Sequence, residues 1–233
     1  MGLAVMLLPL VPVLFYWSNR SSKMRFLSAI LAVLLAVSSA FAAPPAVESA
    51  AKDSTVCVKN NRGRSIAKGS AAYIGHNLFI TNHHVIEGAR SIEIYIPMTK
   101  VHHRCDVILS NSKADVAIIK SRTPVKTIKP VKFAVVGPVF GPVYAAGYGS
   151  SMHDNLPGEF LRVYGGGTPR YDMANRSWYR FGGDEGCSIS GDSGGPAFDQ
   201  HGHYIGPIWG TDGKSTYAVR SRVVLGMLAT LGL

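Results

Sequence analysis

Three short segments carry residue types that can do chemistry. In Gly191-Asp192-Ser193-Gly194-Gly195-Pro196 a serine is flanked by glycines. Such neighbours leave the hydroxyl uncrowded and let the backbone bend until successive N–H groups converge. Those of Gly191 and Ser193 would then face a developing oxyanion, the preorganised electrostatics on which acyl transfer chiefly depends. The second segment, Thr81-Asn82-His83-His84-Val85, ends the apolar run Leu78–Thr81. A histidine leaving a strand there can act as the general base that takes the serine proton. The third, Ala114-Asp115-Val116-Ala117-Ile118-Ile119, begins an apolar strand with one acid. Such an acid is costly to bury unless paired, and orienting an imidazole would supply the pairing. Taken singly, each segment has a plainer reading: a Gly-Ser loop, a structural histidine, a solvated strand end. Taken together they suit acyl transfer through a nucleophilic serine, for which no metal and no organic cofactor is expected.

These segments need a scaffold, and the sequence predicts β-structure. Thr55–Lys59, Ser65–Ile74, Leu78–Thr81, Ile92–Pro97, Val101–Ser110 and Val116–Lys120 are rich in β-branched and apolar residues, with turn signals such as Asn61-Arg62-Gly63 and Gly75-His76-Asn77 between them. Six strands in so short a stretch suffice for one small closed barrel. Ser121–Lys132 has two prolines and no regular period. A second strand-rich half follows, with strands expected at Val143–Tyr148, Phe160–Tyr164, Trp178–Phe181, Pro196–Phe198, Tyr204–Trp209 and Thr216–Val219. Val224, Met227, Leu228 and Leu231 recur at helical spacing in the tail, which predicts a terminal helix. The architecture expected is all-β: two barrels and a C-terminal helix.

Composition agrees. Of 233 residues 47% are apolar and 16% charged, which excludes a disordered or coiled-coil chain. Three cysteines without a CxxC pair exclude a disulfide scaffold and a zinc ribbon. His102 and His103 are adjacent on a strand and so face opposite sides, which speaks against a metal site. His201 and His203 fall in an expected hairpin turn, and Asn175-Arg176-Ser177 is a glycosylation sequon. The net charge of +10 is scattered, as on a soluble basic surface, and no specific nucleic-acid partner is expected.

The first 47 positions hold no acid and two apolar runs, Met1–Trp17 and Phe26–Ala43. From Met24 the second run has the layout of a secretory signal peptide: a basic start, an apolar stretch, and Ala40-Phe41-Ala42 as a cleavage site. The alternative is a membrane hairpin with its basic loop in the cytoplasm. Either places the remainder beyond the membrane, secreted or periplasmic after cleavage, or membrane-anchored. Losing residues 1–42 removes Arg20, Lys23 and Arg25 and leaves a net charge of +7. The expected organisation is therefore 1–23, an apolar segment or sequence upstream of a start at Met24; 24–42, signal or anchor; 43–54, linker; 55–122, first barrel; 123–132, linker; 133–233, second barrel with the helix.

In the order His, Asp, Ser the three segments resemble the trypsin/chymotrypsin-like serine endopeptidases, in particular the compact HtrA-type domains. Lys68–Ile74 followed by Leu78–Ala89 is similar to that family's passage into the catalytic histidine, Ala145-Ala146-Gly147-Tyr148-Gly149 to its turn into the second barrel, and Gly191–Phe198 with Gly202–Gly206 to its nucleophile loop and following hairpin. The resemblance spans about residues 55–222. It implies Ser193 as nucleophile, His84 as base, Asp115 as orienter, and Gly191 and Ser193 as oxyanion donors. The family carries threonine three positions before its histidine, so Thr81 selects His84 over His83. It further implies two perpendicular six-stranded antiparallel Greek-key barrels meeting at the site, and protein or peptide substrates.

The sequence departs from the family at several points. No PDZ-like segment is expected after Leu233. No Ile-Val-Gly-Gly-like stretch follows a basic cleavage site, so activation by a freed N-terminus pairing with Asp192 is not expected. Where trypsin-like enzymes place a pocket aspartate, six residues before the serine, stands Cys187. With Ile208, Trp209 and Gly210 as the wall, an uncharged pocket selecting a neutral, aliphatic residue is expected. Two other readings fit the same residues: a membrane-anchored maturation protease of an RNA-virus polyprotein, and an inactive protease-like binding module. The sequence leaves the oligomeric state open.

Overall fold

Strands of the first half are buried on one face or on both, and that difference explains how the two halves are joined. The computed structural model describes residues 43–134, 141–149, 161–171, 178–182 and 186–233. The chain divides into two compact units, 1–42 and 43–233, and every described residue belongs to the second. The signal or anchor segments, Phe160, the sequon and part of the loop before Gly186 lie outside the described residues.

Six strands close into an antiparallel barrel: β1 (Thr55–Asn61), β2 (Ile66–Gly75), β3 (Leu78–Thr81), β4 (Ser91–Ile96), β5 (Val101–Asn111) and β6 (Val116–Ser121), in the spatial order β1-β2-β3-β6-β5-β4. Side chains of a strand alternate between faces. On β4 the alternation is plain, with Ile92, Ile94 and Ile96 buried and their neighbours half-exposed. On β3 every residue is buried. Phe79 points into the barrel core with Ala71, Tyr73, Ala117 and Ile119, whereas Leu78 and Ile80 join Ala72, Val116 and Ile118 in a cluster shared with the second half. β2, β3 and β6 therefore form the wall between the halves.

The second half contains β7 (Lys132–Phe133), β8 (Val143–Gly147), β9 (Arg162–Gly167), β10 (Arg170–Tyr171), β11 (Trp178–Phe181), β12 (Pro196–Asp199), β13 (His203–Thr211) and β14 (Thr216–Val219). They form an eight-stranded sheet, β10-β11-β14-β13-β12-β8-β9 with β7 parallel to β13. This curled sheet is the expected second barrel, and among the described residues it carries two extra two-residue strands, β7 and β10.

Three helices complete the described chain: α1 (Pro45–Ser54), α2 (His83–Ile86) and α3 (Ser221–Thr230). The expected linker over 43–54 is corrected by α1. Proline opens its first turn, where a missing N–H costs nothing. Val47 and Ala51, four apart, are buried in the shared cluster beside Phe198, Tyr204, Val224 and Leu228. Residues 123–131 are irregular but firmly held: Val125, Ile128 and Val131 are buried, and the Val131 N–H donates to Tyr73 O (2.9 Å). No helix among the described residues is long and apolar enough to cross a membrane.

Candidate active site

The histidine arises where β3 ends. Thr81 is fully buried and donates its hydroxyl to Ser70 O (2.8 Å). One helical turn, α2, then swings the chain outward. So short a helix cannot satisfy its own last carbonyls. Asn60, buried on β1, does so, its Nδ2 donating to Val85 O (2.9 Å) and Glu87 O (3.0 Å). Asn82 fixes the opposite end, donating to Asp115 O (2.8 Å).

Asp115 grips His84 twice. Its Oδ2 lies 2.6 Å from His84 Nδ1, and its Oδ1 accepts the His84 main-chain N–H (2.9 Å). The carboxylate side chain is 12% exposed and the imidazole 44%, so a shielded acid holds a ring that solvent can reach. Asp115 adopts a left-handed backbone (φ +53°), which aspartate tolerates better than most residues. The tight β5–β6 connection sets that conformation, Ala114 N–H donating to Asn111 Oδ1 (3.0 Å). His83 turns elsewhere, its Nδ1 2.7 Å from Ser110 Oγ and its Nε2 3.9 Å from Glu87.

The serine sits on two back-to-back turns. Asp192 N–H donates to Ile189 O (3.0 Å) and Gly195 N–H to Asp192 O (2.9 Å). The third residue of each is a glycine with positive φ, Gly191 (+97°) and Gly194 (+85°), as type II turns require. A β-turn uses the N–H of its fourth residue and leaves those of its second and third to find other partners. Gly194 gives its own to Ile208 O (2.8 Å). Among the described residues no acceptor takes the N–H of Gly191 or Ser193, the two expected oxyanion donors. Ser193 is half-buried, and its carbonyl accepts Ser70 N–H (2.8 Å).

A single glycine brings the segments together. A Cβ on Gly69 would stand 2.6 Å from Val85 Cγ1 and 3.1 Å from Ser193 O. Val85 follows His84, so the His84 segment and the Ser193 loop meet across β2 where no side chain fits.

The expected pocket residues fare unequally. Ile208 is fully buried in the second half's core with Phe181 and Ala218, so its side chain lies away from the surface and only its main chain, bonded to Gly194 and Gly195, meets the loop. That corrects its expected place on a pocket wall. Trp209 follows at a bulge in the β13–β14 pairing, half-exposed and stacked on Trp178 (centroids 4.4 Å apart). Gly210 leaves open space where a Cβ would stand, and its carbonyl accepts Ser188 Oγ–H (3.0 Å). Cys187 is half-buried, its carbonyl accepting Arg162 Nη2 (3.4 Å). Beyond Gly210 the turn is tied by Asp212, held down to a pKa of about 2 by the N–H of Lys214, the Tyr217 hydroxyl and the N–H of Ser215.

Sequence reasoning missed Ser70, Asn60, Asn82, Trp178 and Arg162. The first three carried a faint signal, being polar residues within or beside apolar strands. Among the described residues no three His, Cys, Asp or Glu groups are placed to hold a metal ion.

Residues 69–206 match the family described as trypsin-like peptidase domain. Among solved structures the chain is similar to the active form of the Rv3671c protease of M. tuberculosis, at 23% identity and TM-score 0.63, covering 81% of this chain and 87% of that one. The inactive form of the same protease superposes with TM-score 0.61 at 23% identity, covering 82% and 98%. A serine endoprotease of Yersinia pestis gives TM-score 0.63 at 19% identity, covering 80% of this chain and 65% of that one. No curated protein sequence matches.

Proposed function

The chain belongs to the trypsin-like peptidase family and is a serine endopeptidase, and from that premise we propose that His84, Asp115 and Ser193 carry its chemistry. Ser193 Oγ attacks the scissile carbonyl while His84 takes its proton and later returns it to the leaving amine. Asp115, bonded to Nδ1, fixes the ring so that Nε2 is the working nitrogen and stabilises the imidazolium as it forms. The N–H groups of Gly191 and Ser193 receive the oxyanion. The observation that carries this reading is the double hold of Asp115 on His84, ring and main chain together. It is tested by Ser193→Ala and His84→Ala. Each is expected to lower peptide hydrolysis about 10⁴-fold or more, while His83→Ala keeps most of it. An inactive His83→Ala beside an active His84→Ala would overturn the assignment.

Substrates are proteins or peptides. For the residue before the cut we propose a neutral, aliphatic preference, supported by the absence of charge on Cys187, Ser188 and Gly210 themselves and by the pairing of nearby Arg162 with buried Asp192. Apolar pockets discriminate by only about 1–3 kcal/mol, and a cleavage profile dominated by Arg, Lys or Glu would refute it. We also propose that the enzyme works across a membrane, secreted or anchored, supported by the two apolar N-terminal runs. N-terminal sequencing that finds Ala43 first would favour secretion, and an intact embedded N-terminus the anchor.

A further inference from the structure

Asp192 is a carboxylate with no exposed surface, immediately before Ser193. A buried charge must be paired and hydrogen-bonded or it destabilises whatever carries it. Its oxygens accept the N–H of Gly149 on Oδ1 (2.8 Å) and of Ile189 on Oδ2 (3.0 Å), and Arg162 Nη1 lies 3.3 Å from Oδ2. The same guanidinium reaches Cys187 O through Nη2 (3.4 Å) and lies over the Tyr164 ring (4.7 Å). Arg162 thus touches the segment entering the first turn and the residue joining it to the second. Two glycines make room for that carboxylate: Cβ atoms on Gly147 and Gly149 would fall 2.5 and 2.7 Å from Asp192 Oδ1.

The first half supplies a second hold. Ser70, fully buried on β2, accepts Tyr148 N–H on Oγ (3.1 Å) and donates from it to Gly191 O (2.9 Å), while its N–H binds Ser193 O (2.8 Å). One serine therefore fixes the carbonyls on both sides of Asp192.

We propose that Arg162 and Ser70 form a built-in clamp that sets the nucleophile loop, with the Arg162 guanidinium supplying the positive charge for Asp192 so that the loop is competent without a freed chain N-terminus. Both are positioning residues; neither touches the reacting atoms. The clamp deepens the endopeptidase reading, on which its catalytic consequence rests.

Arg162→Met leaves a buried carboxylate unpaired and can unfold the chain, so the decisive variants are Arg162→Lys and Ser70→Ala in the full chain. Lysine keeps the charge but is a single point where arginine has a planar fork. Two readouts are needed: hydrogen exchange of segment 186–199, and kcat and KM on a peptide with active sites titrated by a fluorophosphonate. Disturbing an oxyanion donor costs about 10²–10³ in kcat when the donor is removed. A loosened donor costs less, about tenfold for Arg162→Lys and severalfold for Ser70→Ala on the same scale. KM should change little and the melting temperature should stay near wild type. Exchange in 186–199 should quicken in both variants. The full chain and any N-terminally processed form purified from it should share one kcat. Wild-type exchange in both variants, or a kcat that appears only after N-terminal cleavage, would overturn the clamp. Quickened exchange in the variants of a chain that neither hydrolyses peptides nor reacts with the fluorophosphonate would uphold the clamp and sink the endopeptidase reading.

Discussion

The halves contribute to the site in opposite ways. The first offers its histidine and acid from a closed barrel, over a short reach: β3 ends, α2 makes one turn, and the β5–β6 connection returns Asp115 beneath it. Asn60, Asn82 and the main chain of His84 all help to fix that pair, and all belong to the barrel. The second half offers its serine from turns, and those turns are shaped by contacts from outside their own stretch of chain: Ser70 from the barrel, Gly149 after β8, Arg162 on β9 and Ile208 on β13. The proposed base is thus positioned locally and the proposed nucleophile remotely. Damage to the first half should therefore separate stability from chemistry, whereas distortion of the Ser193 turns themselves should couple them.

The largest effect should follow when the acid loses its charge but keeps its shape. Asp115→Asn retains acceptor and donor near His84, yet favours the wrong imidazole tautomer, and kcat should fall about 10⁴-fold with little change in unfolding midpoint. Steady-state kinetics beside a urea titration would read this. A comparable loss of stability would show that Asp115 mainly holds the β5–β6 turn.

Gly194→Ala should behave differently. Its φ of +85° resists any side chain, and a Cβ would collide with Ser70 O and Thr81 Oγ1. The second turn must shift, moving Ser193 and its N–H, so kcat should fall about 10²–10³-fold. Stability should fall with it by about 1–3 kcal/mol for the strained backbone. A stable variant with wild-type kcat would mean that the loop is more plastic than its contacts indicate.

Much of the fold is legible because its signals are local. Leu78–Thr81, Trp178–Phe181 and Thr216–Val219 were read to the residue from β-branched and aromatic runs between turn residues. That His84 rather than His83 faces Asp115 is what the family resemblance implies, since that family carries threonine three positions before its histidine and Thr81 stands there. What escaped was long-range. The prolines and polar residues around α1 read as a linker because only Val47, Ala51 and Ser54 are buried, and their partners come from distant segments. The Arg162–Asp192 pair joins residues thirty apart, with no local pattern to announce it. Ile208 and Trp209, adjacent on β13, face opposite sides as strand alternation requires, and the bulge between Ile208 and Gly210 shifts the register that a strict period would continue.

A smaller test separates the halves by stability alone. Asn82→Ala removes the donor to Asp115 O inside the barrel. A buried carbonyl left unsatisfied should cost about 1–3 kcal/mol, seen as a lower urea midpoint. Because Asp115 still binds the His84 ring and main chain, kcat per titrated site should stay within a few-fold of wild type. A loss in kcat as large as that of Asp115→Asn would mean that the barrel's hold on its acid is less redundant than the hydrogen bonds suggest.

The smallest effect concerns the thiols, which divide the same way. Cys57 and Cys105 lie in the barrel, 1% and 6% exposed, and burial pushes both thiols up to about 12. Cys187 lies half-buried on the nucleophile side. At pH 8 an alkylating reagent should therefore modify one cysteine in the folded protein and three after denaturation, since the thiolate is the reacting form. Peptide mapping should find the early label on Cys187, and a bound peptide should slow it if that residue borders the substrate. The barrel pair should show itself in stability above pH 9 instead. There the unfolded chain's thiols ionise while the folded ones remain protonated. The unfolded state then binds fewer protons, and stability declines as pH rises from 9 toward 12. The decline is about 1.4 kcal/mol per thiol for each pH unit. Other groups titrate in this range too, so the readout is the difference between wild type and the Cys57→Ala, Cys105→Ala double variant. The variant should start lower from its lost packing and then fall less steeply with pH. Parallel slopes would show that water reaches these thiols in the folded barrel.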